Sequence, residues 1–91
     1  MTAHHRILIL ILEEVGHATS DYLSSKSKLP HAAVLQAMLE LCHKKMAKHD
    51  NAVHIDVAGN EKKLFIYRIK PRGREMCQRI RNAAAVGEDI P

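Results

Sequence analysis

The chain has 91 residues, 46 % of them hydrophobic and 26 % charged, which suits one compact soluble domain and excludes both a two-domain protein and a disordered polymer. A net charge of +4 and a pI near 9.3 favour an anionic partner over a cationic one. One Phe, two Tyr and no Trp leave too few flat rings for the base-stacking platforms of single-strand and RNA-binding modules.

Thr2 is placed to cap a first helix in which Leu8, Ile11, Leu12 and Val15 recur at helical spacing and Gly16 terminates the run. The unbroken Ile and Leu stretch over residues 7–12 would also suit a buried strand, but Glu13 and Glu14 running on to Gly16 favour the helix. Thr19 or Ser20 then opens a short second helix through Asp21, Tyr22 and Leu23, and residues 24–28 read as its polar end and a turn. Pro30 marks the first turn of a third helix, predicted over about 30–48 because no Gly or Pro interrupts it and Ala33, Leu35, Gln36, Ala37, Leu39 and Glu40 are good helix formers.

After His49, Asp50 and Asn51 the period changes from helical to alternating, with Val53, Ile55 and Val57 against His54, Asp56 and Ala58. Gly59 and Asn60, with Glu61 and Lys62, make a turn, and a second alternating run over residues 64–69 completes one hairpin. Pro71 begins a last helix with Met76 and Ile80 facing inward. The structured core is expected over about 3–82, with residues 83–91 as a frayed tail.

The positive charge gathers late in the chain, where Lys44, Lys45, Lys48, Lys62, Lys63, Arg68, Lys70, Arg72, Arg74, Arg79 and Arg81 face only Asp50, Asp56, Glu61 and Glu75. Such a field suits a polyanion, whose neutralised phosphates release counterions. Cys42 and Cys77 form no disulfide framework and no secretory leader precedes the first helix, so a cytoplasmic setting is expected. The longest apolar run is far shorter than a membrane span. Cys42, His43 and His49 lack the spacing of a closed zinc site, and no phosphate loop, carboxylate pair or nucleophile elbow occurs. The expectation is therefore a non-enzyme without metal or cofactor.

Three helices, a hairpin and a closing helix give a mainly α fold with a two-stranded wing, and three segments sharpen that reading. The run Leu29, Pro30, His31, Ala32, Ala33, Val34, Leu35, Gln36, Ala37, Met38, Leu39, Glu40, Leu41 resembles the turn and recognition helix of MarR-like and PadR-like regulators, with apolar residues at Leu29, Val34, Met38 and Leu41. Residues 43–48 resemble the family's exit into the wing, with Met46 as the apolar plug and Lys45 where a helix-ending Gly often stands. Residues 67–75, from Tyr67 and Arg68 through Pro71 and Gly73, resemble the wing exit.

The resemblance covers about residues 6–80 and implies a winged helix-turn-helix domain that binds double-stranded DNA as a small dimeric transcriptional regulator. By position it implies base or phosphate contacts from Ser27, Lys28, His31, Ala32 and Gln36, and phosphate contacts from Lys62, Lys63, Arg68, Arg72 and Arg74. A glutamine such as Gln36 pairs bidentately with adenine. Leu35 and Leu39 make the third helix apolar nearly all round, and with Ile7 and Leu10 they form the expected homodimer surface. The competing reading is a winged-helix protein-interaction module that uses the same apolar face.

Overall fold

In the computed structural model, which describes residues 1–85, the chain order is α1 (Ala3–Val15), β1 (His17–Thr19), α2 (Ser20–Ser27), α3 (His31–His43), β2 (Ala47–Ile55), β3 (Glu61–Ile69) and α4 (Pro71–Ala85). The expected elements are all present, with one addition. The sheet has three antiparallel strands in the order β1-β3-β2, because Ala18 pairs with Tyr67 and Thr19 with Ile66. Three residues are too few for a periodic signal, so β1 is invisible to pattern analysis. It ties the segment between α1 and α2 to the wing.

Helix α1 begins with a reciprocal cap. The Thr2 hydroxyl accepts from the His5 backbone N–H at 3.3 Å, and His5 Nδ1 accepts from the Thr2 N–H at 3.3 Å. It ends at Gly16, whose φ of 82° suits glycine and whose carbonyl accepts from the Ile69 N–H, starting the β1–β3 ladder. Between these ends Leu8, Ile9 and Leu12 are fully buried, packed with Leu23 of α2, Val34, Met38 and Leu41 of α3, and Cys77 of α4. Each such aliphatic side chain contributes about 1.5–3 kcal/mol by leaving water, so α1 is the hub of the core. The Cys77 thiol donates to the Ile9 carbonyl at 3.4 Å, and burial above all pushes its pKa up to about 11, making it an inert packing group.

Helix α3 is shorter than the 30–48 read from the sequence, and β2 correspondingly starts at Ala47. The cause is local. Lys45 adopts the left-handed conformation, φ 60°, at the position where the resembling regulators often have a helix-ending glycine, and the Met46 N–H then reaches back to the Leu41 carbonyl at 3.0 Å. That reversal drops Met46 and Ala47 into the core. Residues 48–51 consequently join β2, their weak strand propensity overridden by an unbroken ladder with β3 from Ala47–Ile69 to Ile55–Glu61. At the hairpin tip Asp56 Oδ1 accepts from the N–H groups of Ala58 and Asn60, both at 2.9 Å, and Gly59 takes φ 85°.

Helix α4 runs through Ala85, so residues 83–85 of the expected tail are helical, while 86–91 lie outside the described residues. It crosses the start of β2 at Gly73. A Cβ there would lie 2.2 Å from the Met46 carbonyl oxygen and 2.9 Å from Ile69 Cγ1. Farther along α4, Arg81 pairs with Glu13 of α1. Among the described residues no helix is long and apolar enough to cross a membrane.

Candidate nucleic-acid interface

Helices α2 and α3 form a helix-turn-helix whose turn is fixed by serines. The Ser24 hydroxyl donates to the Leu29 carbonyl at 2.7 Å, and the Ser27 hydroxyl donates to the Leu23 carbonyl at 2.6 Å while accepting from the Leu29 N–H at 3.2 Å. Lys28 closes α2 in the left-handed region, φ 61°, with its side chain exposed at the turn. The Ser27 hydroxyl, expected at a base or a phosphate, is therefore engaged in holding the turn.

His31, on the first turn of α3, shares a 2.9 Å hydrogen bond with the hydroxyl of buried Ser20 and lies 3.5 Å from Asp21. That contact pins the N-terminus of α3 to the N-terminus of α2. Beside it the first half of β3, next to the wing tip, comes near. Thr19, Ser20, Asp21 and His31 share a shallow groove of about 270 Å³ with Lys62, Lys63, Leu64 and Phe65 of β3. The wing lysines and the start of α3 thus face one space. Asp21 is the one acidic group among these lining residues, and it sits against His31.

From α3 the exposed residues Ala32, Leu35, Gln36 and Leu39 continue outward on one face. The Gln36 amide donates to Glu40 Oε1 at 3.2 Å, which leaves its own carbonyl oxygen and second N–H outward. Glu40 is in turn bound at Oε2 by His5 Nε2, 3.0 Å away, and His5 is only 3 % exposed. A chain of hydrogen bonds runs from the N-cap of α1 through His5 and Glu40 to Gln36. Periodicity gave no signal for it, since His5 and Glu40 are far apart in sequence and join only when α1 packs on α3.

The remaining basic candidates lie elsewhere. Arg68 is on the opposite face of the sheet from buried Tyr67, in an ion pair with Asp50 at 2.9 Å. Arg72 lines a separate groove with Met46, Glu75, Met76 and Arg79, and Arg74 is exposed on α4. Of the expected dimer residues, Ile7, Leu35 and Leu39 are exposed, whereas Leu10 is half-buried against the core. No three His, Cys, Asp or Glu side chains among the described residues converge as metal ligands.

Burial, more than any other influence, lowers the His5 pKa below its ordinary 6.5, against the opposing pull of Glu40. Protonation would also remove the acceptor that receives the Thr2 N–H. The unfolded chain takes up this proton near the ordinary value and the folded chain only below it. Stability is therefore complete above about pH 6.5 and declines as pH falls through the interval down to the folded value. Chemical denaturation between pH 7.5 and 5.5 should record that decline and His5→Gln should flatten it. Equal slopes for the two proteins would exclude His5 as the cause.

No family model and no curated protein matches this sequence. Solved structures do match the fold. A MarR family transcription regulator superposes with a TM-score of 0.78 at 15 % identity, covering 96 % of this chain and 54 % of its own. Bordetella bronchiseptica BpsR, whose DNA binding is regulated by 6-hydroxynicotinic acid, superposes at 0.72 and 20 % identity, covering 94 % of this chain and 61 % of its own. A protein from Archaeoglobus fulgidus gives 0.70 at 21 % identity and covers 96 % and 89 %. This chain thus spans little more than half the length of the first two. At these identities the likeness establishes the fold, a winged helix-turn-helix like that of MarR family regulators.

Proposed function

We propose that this winged helix-turn-helix domain binds double-stranded DNA as a non-enzymatic transcriptional regulator, with the N-terminal half of α3 in the major groove and the wing on phosphates. The observation that carries the reading is the shared groove of His31, Lys62 and Lys63, where the start of the recognition helix and the basic wing face the same space. Lys28, exposed at the turn, adds a cation beside the same end of α3. Ala32 and Gln36 are the base-reading residues, and the hydrogen bond from Gln36 to Glu40 presets the amide for an adenine, carbonyl toward the base N6 and N–H toward N7. The fold's presence in a MarR family transcription regulator and in BpsR, a DNA-binding protein, agrees with this assignment.

On this reading Leu35, which shares the exposed face of α3 with Gln36 and Leu39, lies against a thymine methyl group. The same face cannot also be buried in a dimer. A homodimer on DNA then needs a surface other than Leu35 and Leu39, although Ile7 on α1 stays free to contribute. Arg68, Arg72 and Arg74 supply longer-range positive field.

Gln36→Ala tests the assignment. Measured against a library of duplexes, it should cost about 1–3 kcal/mol at one base position and leave non-specific binding nearly unchanged. If every base preference survives Gln36→Ala while Leu39→Glu abolishes binding to another protein, the domain is an interaction module instead.

A further inference from the structure

Strand β2 is the outer strand of the β1-β3-β2 sheet, and its nine residues pair with β3 without a bulge. Which of its backbone groups face outward follows from two hydrogen bonds. The Asp56 N–H donates to the Asn60 carbonyl across the hairpin, and the Ile69 N–H donates away from β2, to Gly16. In an antiparallel ladder these groups alternate. Lys48, Asp50, Ala52 and His54 therefore turn their N–H and C=O toward β3, whereas His49, Asn51, Val53 and Ile55 present theirs to the open edge. Natural sheets guard such an edge with proline, a bulge, charged side chains or a covering segment. Strand β2 contains no proline, has a continuous register, and carries its charged residues, Lys48 and Asp50, only in its first half.

The side chains of β2 match a reversed copy of themselves. With the two-fold axis at Ala52, outward-facing Asn51 pairs with Val53 and His49 with Ile55, as the hydrogen-bond alternation requires. Between them Asp50 falls opposite His54, and Lys48 opposite Asp56. The residue on the axis occupies a non-hydrogen-bonded site, where side chains approach most closely, and it is an alanine. Asp50 is already held by Arg68 at 2.9 Å, so the charge match rests on Lys48 and Asp56. Sliding two residues one way sets Lys48 against His54, and the other way sets Asp50 against Asp56. Of these three registers only the one centred on Ala52 puts Lys48 opposite a carboxylate. Asp56 is well suited to its role. Hydrogen bonds from Asn60, chiefly from its backbone, hold its pKa below the usual carboxylate value.

The other face of the strand supplies apolar contact. Val53 and Ile55 are 57 % and 62 % exposed, and Phe65 beside them is 49 % exposed. The His49 ring stacks on Phe65 with centroids 5.4 Å apart. In the reversed pairing each Ile55 meets the other copy's His49, joining the two Phe65–His49 stacks into one stripe. That gives these exposed apolar residues a cover that the monomer's own core does not provide.

We infer that a second copy of this chain docks on the β2 edge, antiparallel and centred on Ala52, forming a six-stranded sheet across a two-fold axis. The groove of His31, Lys62 and Lys63 takes none of its lining residues from β2, so the pairing leaves it open. The dimer is independent of the DNA reading and is tested without DNA.

The test uses the whole chain carrying Cys42→Ser, to remove the half-buried native thiol. Ala52→Cys places two thiols across the axis at Cα separations near 4.5 Å, within disulfide range, and oxidised glutathione should convert it to a covalent dimer. Asn51→Cys, whose copies lie diagonally apart, should crosslink far less. In sedimentation without crosslinking, Val53→Pro removes an outward N–H but no bond to β3, and should weaken dimerisation roughly thirtyfold through two symmetry-related hydrogen bonds. Circular dichroism reports whether that variant folds, and the crosslinking pair does not depend on it. Equal crosslinking at positions 51 and 52, or a wild-type mass that stays monomeric up to about 0.5 mM, would overturn the inference.

Discussion

Gly73→Ala is expected to lower the melting temperature by about 8–16 °C, although alanine is the better helix former by about 1 kcal/mol. The sign reverses because the added methyl has no room. It would lie 2.2 Å from the Met46 carbonyl oxygen, 2.9 Å from Ile69 Cγ1 and 3.1 Å from Ile9 Cδ1. The first neighbour is backbone, and that carbonyl already accepts from the Lys70 N–H at 3.0 Å, so it cannot yield without loosening the entry to α4. Overpacking of this kind costs about 3 kcal/mol, and each kcal/mol moves the midpoint of a domain this size by about 4–8 °C. Thermal unfolding followed at 222 nm measures it. An unchanged or raised midpoint would mean that α4 does not cross β2 as closely as described.

The same glycine illustrates what the sequence made legible. Pro71 and the periodicity of Met76 and Ile80 announced α4, yet nothing local reveals that Gly73 is there for a close crossing. That constraint belongs to the contact between distant elements. The caps of α1 at Thr2 and Gly16 were readable because they depend on neighbouring residues, and the hairpin was readable from its alternation. The end of α3 was not, since Lys45 takes a conformation that its side chain disfavours in order to bury Met46. At the candidate interface, the charge of Lys62 and Lys63 was visible in the sequence. That Thr19, Ser20 and Asp21 line the same groove follows only from β1, which is too short to detect. The resemblance places Ser27 and Arg68 at the interface by position, and within the fold the Ser27 hydroxyl and the Arg68 guanidinium are held by tertiary and turn partners.

The second large effect concerns the wing. Lys62→Ala combined with Lys63→Ala should reduce duplex affinity on the order of tenfold or more at about 50 mM salt and should do so almost equally for any sequence. Phosphate contacts position without reading bases. Both side chains are exposed and have no role in the core, so the melting temperature should stay within about 2 °C of wild type. The logarithmic slope of affinity against salt should become shallower by about two, one phosphate for each lysine. A large difference between specific and random duplexes would instead make these lysines readers of sequence.

The central claim is that the groove between the wing and the start of α3 receives the DNA backbone. The most direct measurement is the affinity of the wild-type chain for a random duplex of about 20 base pairs as salt rises from about 50 to 200 mM. With Lys28, Lys62 and Lys63 on phosphates, binding should be clear at the lowest salt and fall with a logarithmic slope of about −3, and Lys62→Ala with Lys63→Ala should lose about two of those units. No binding at 50 mM, or a slope that the double substitution leaves unchanged, would contradict the account.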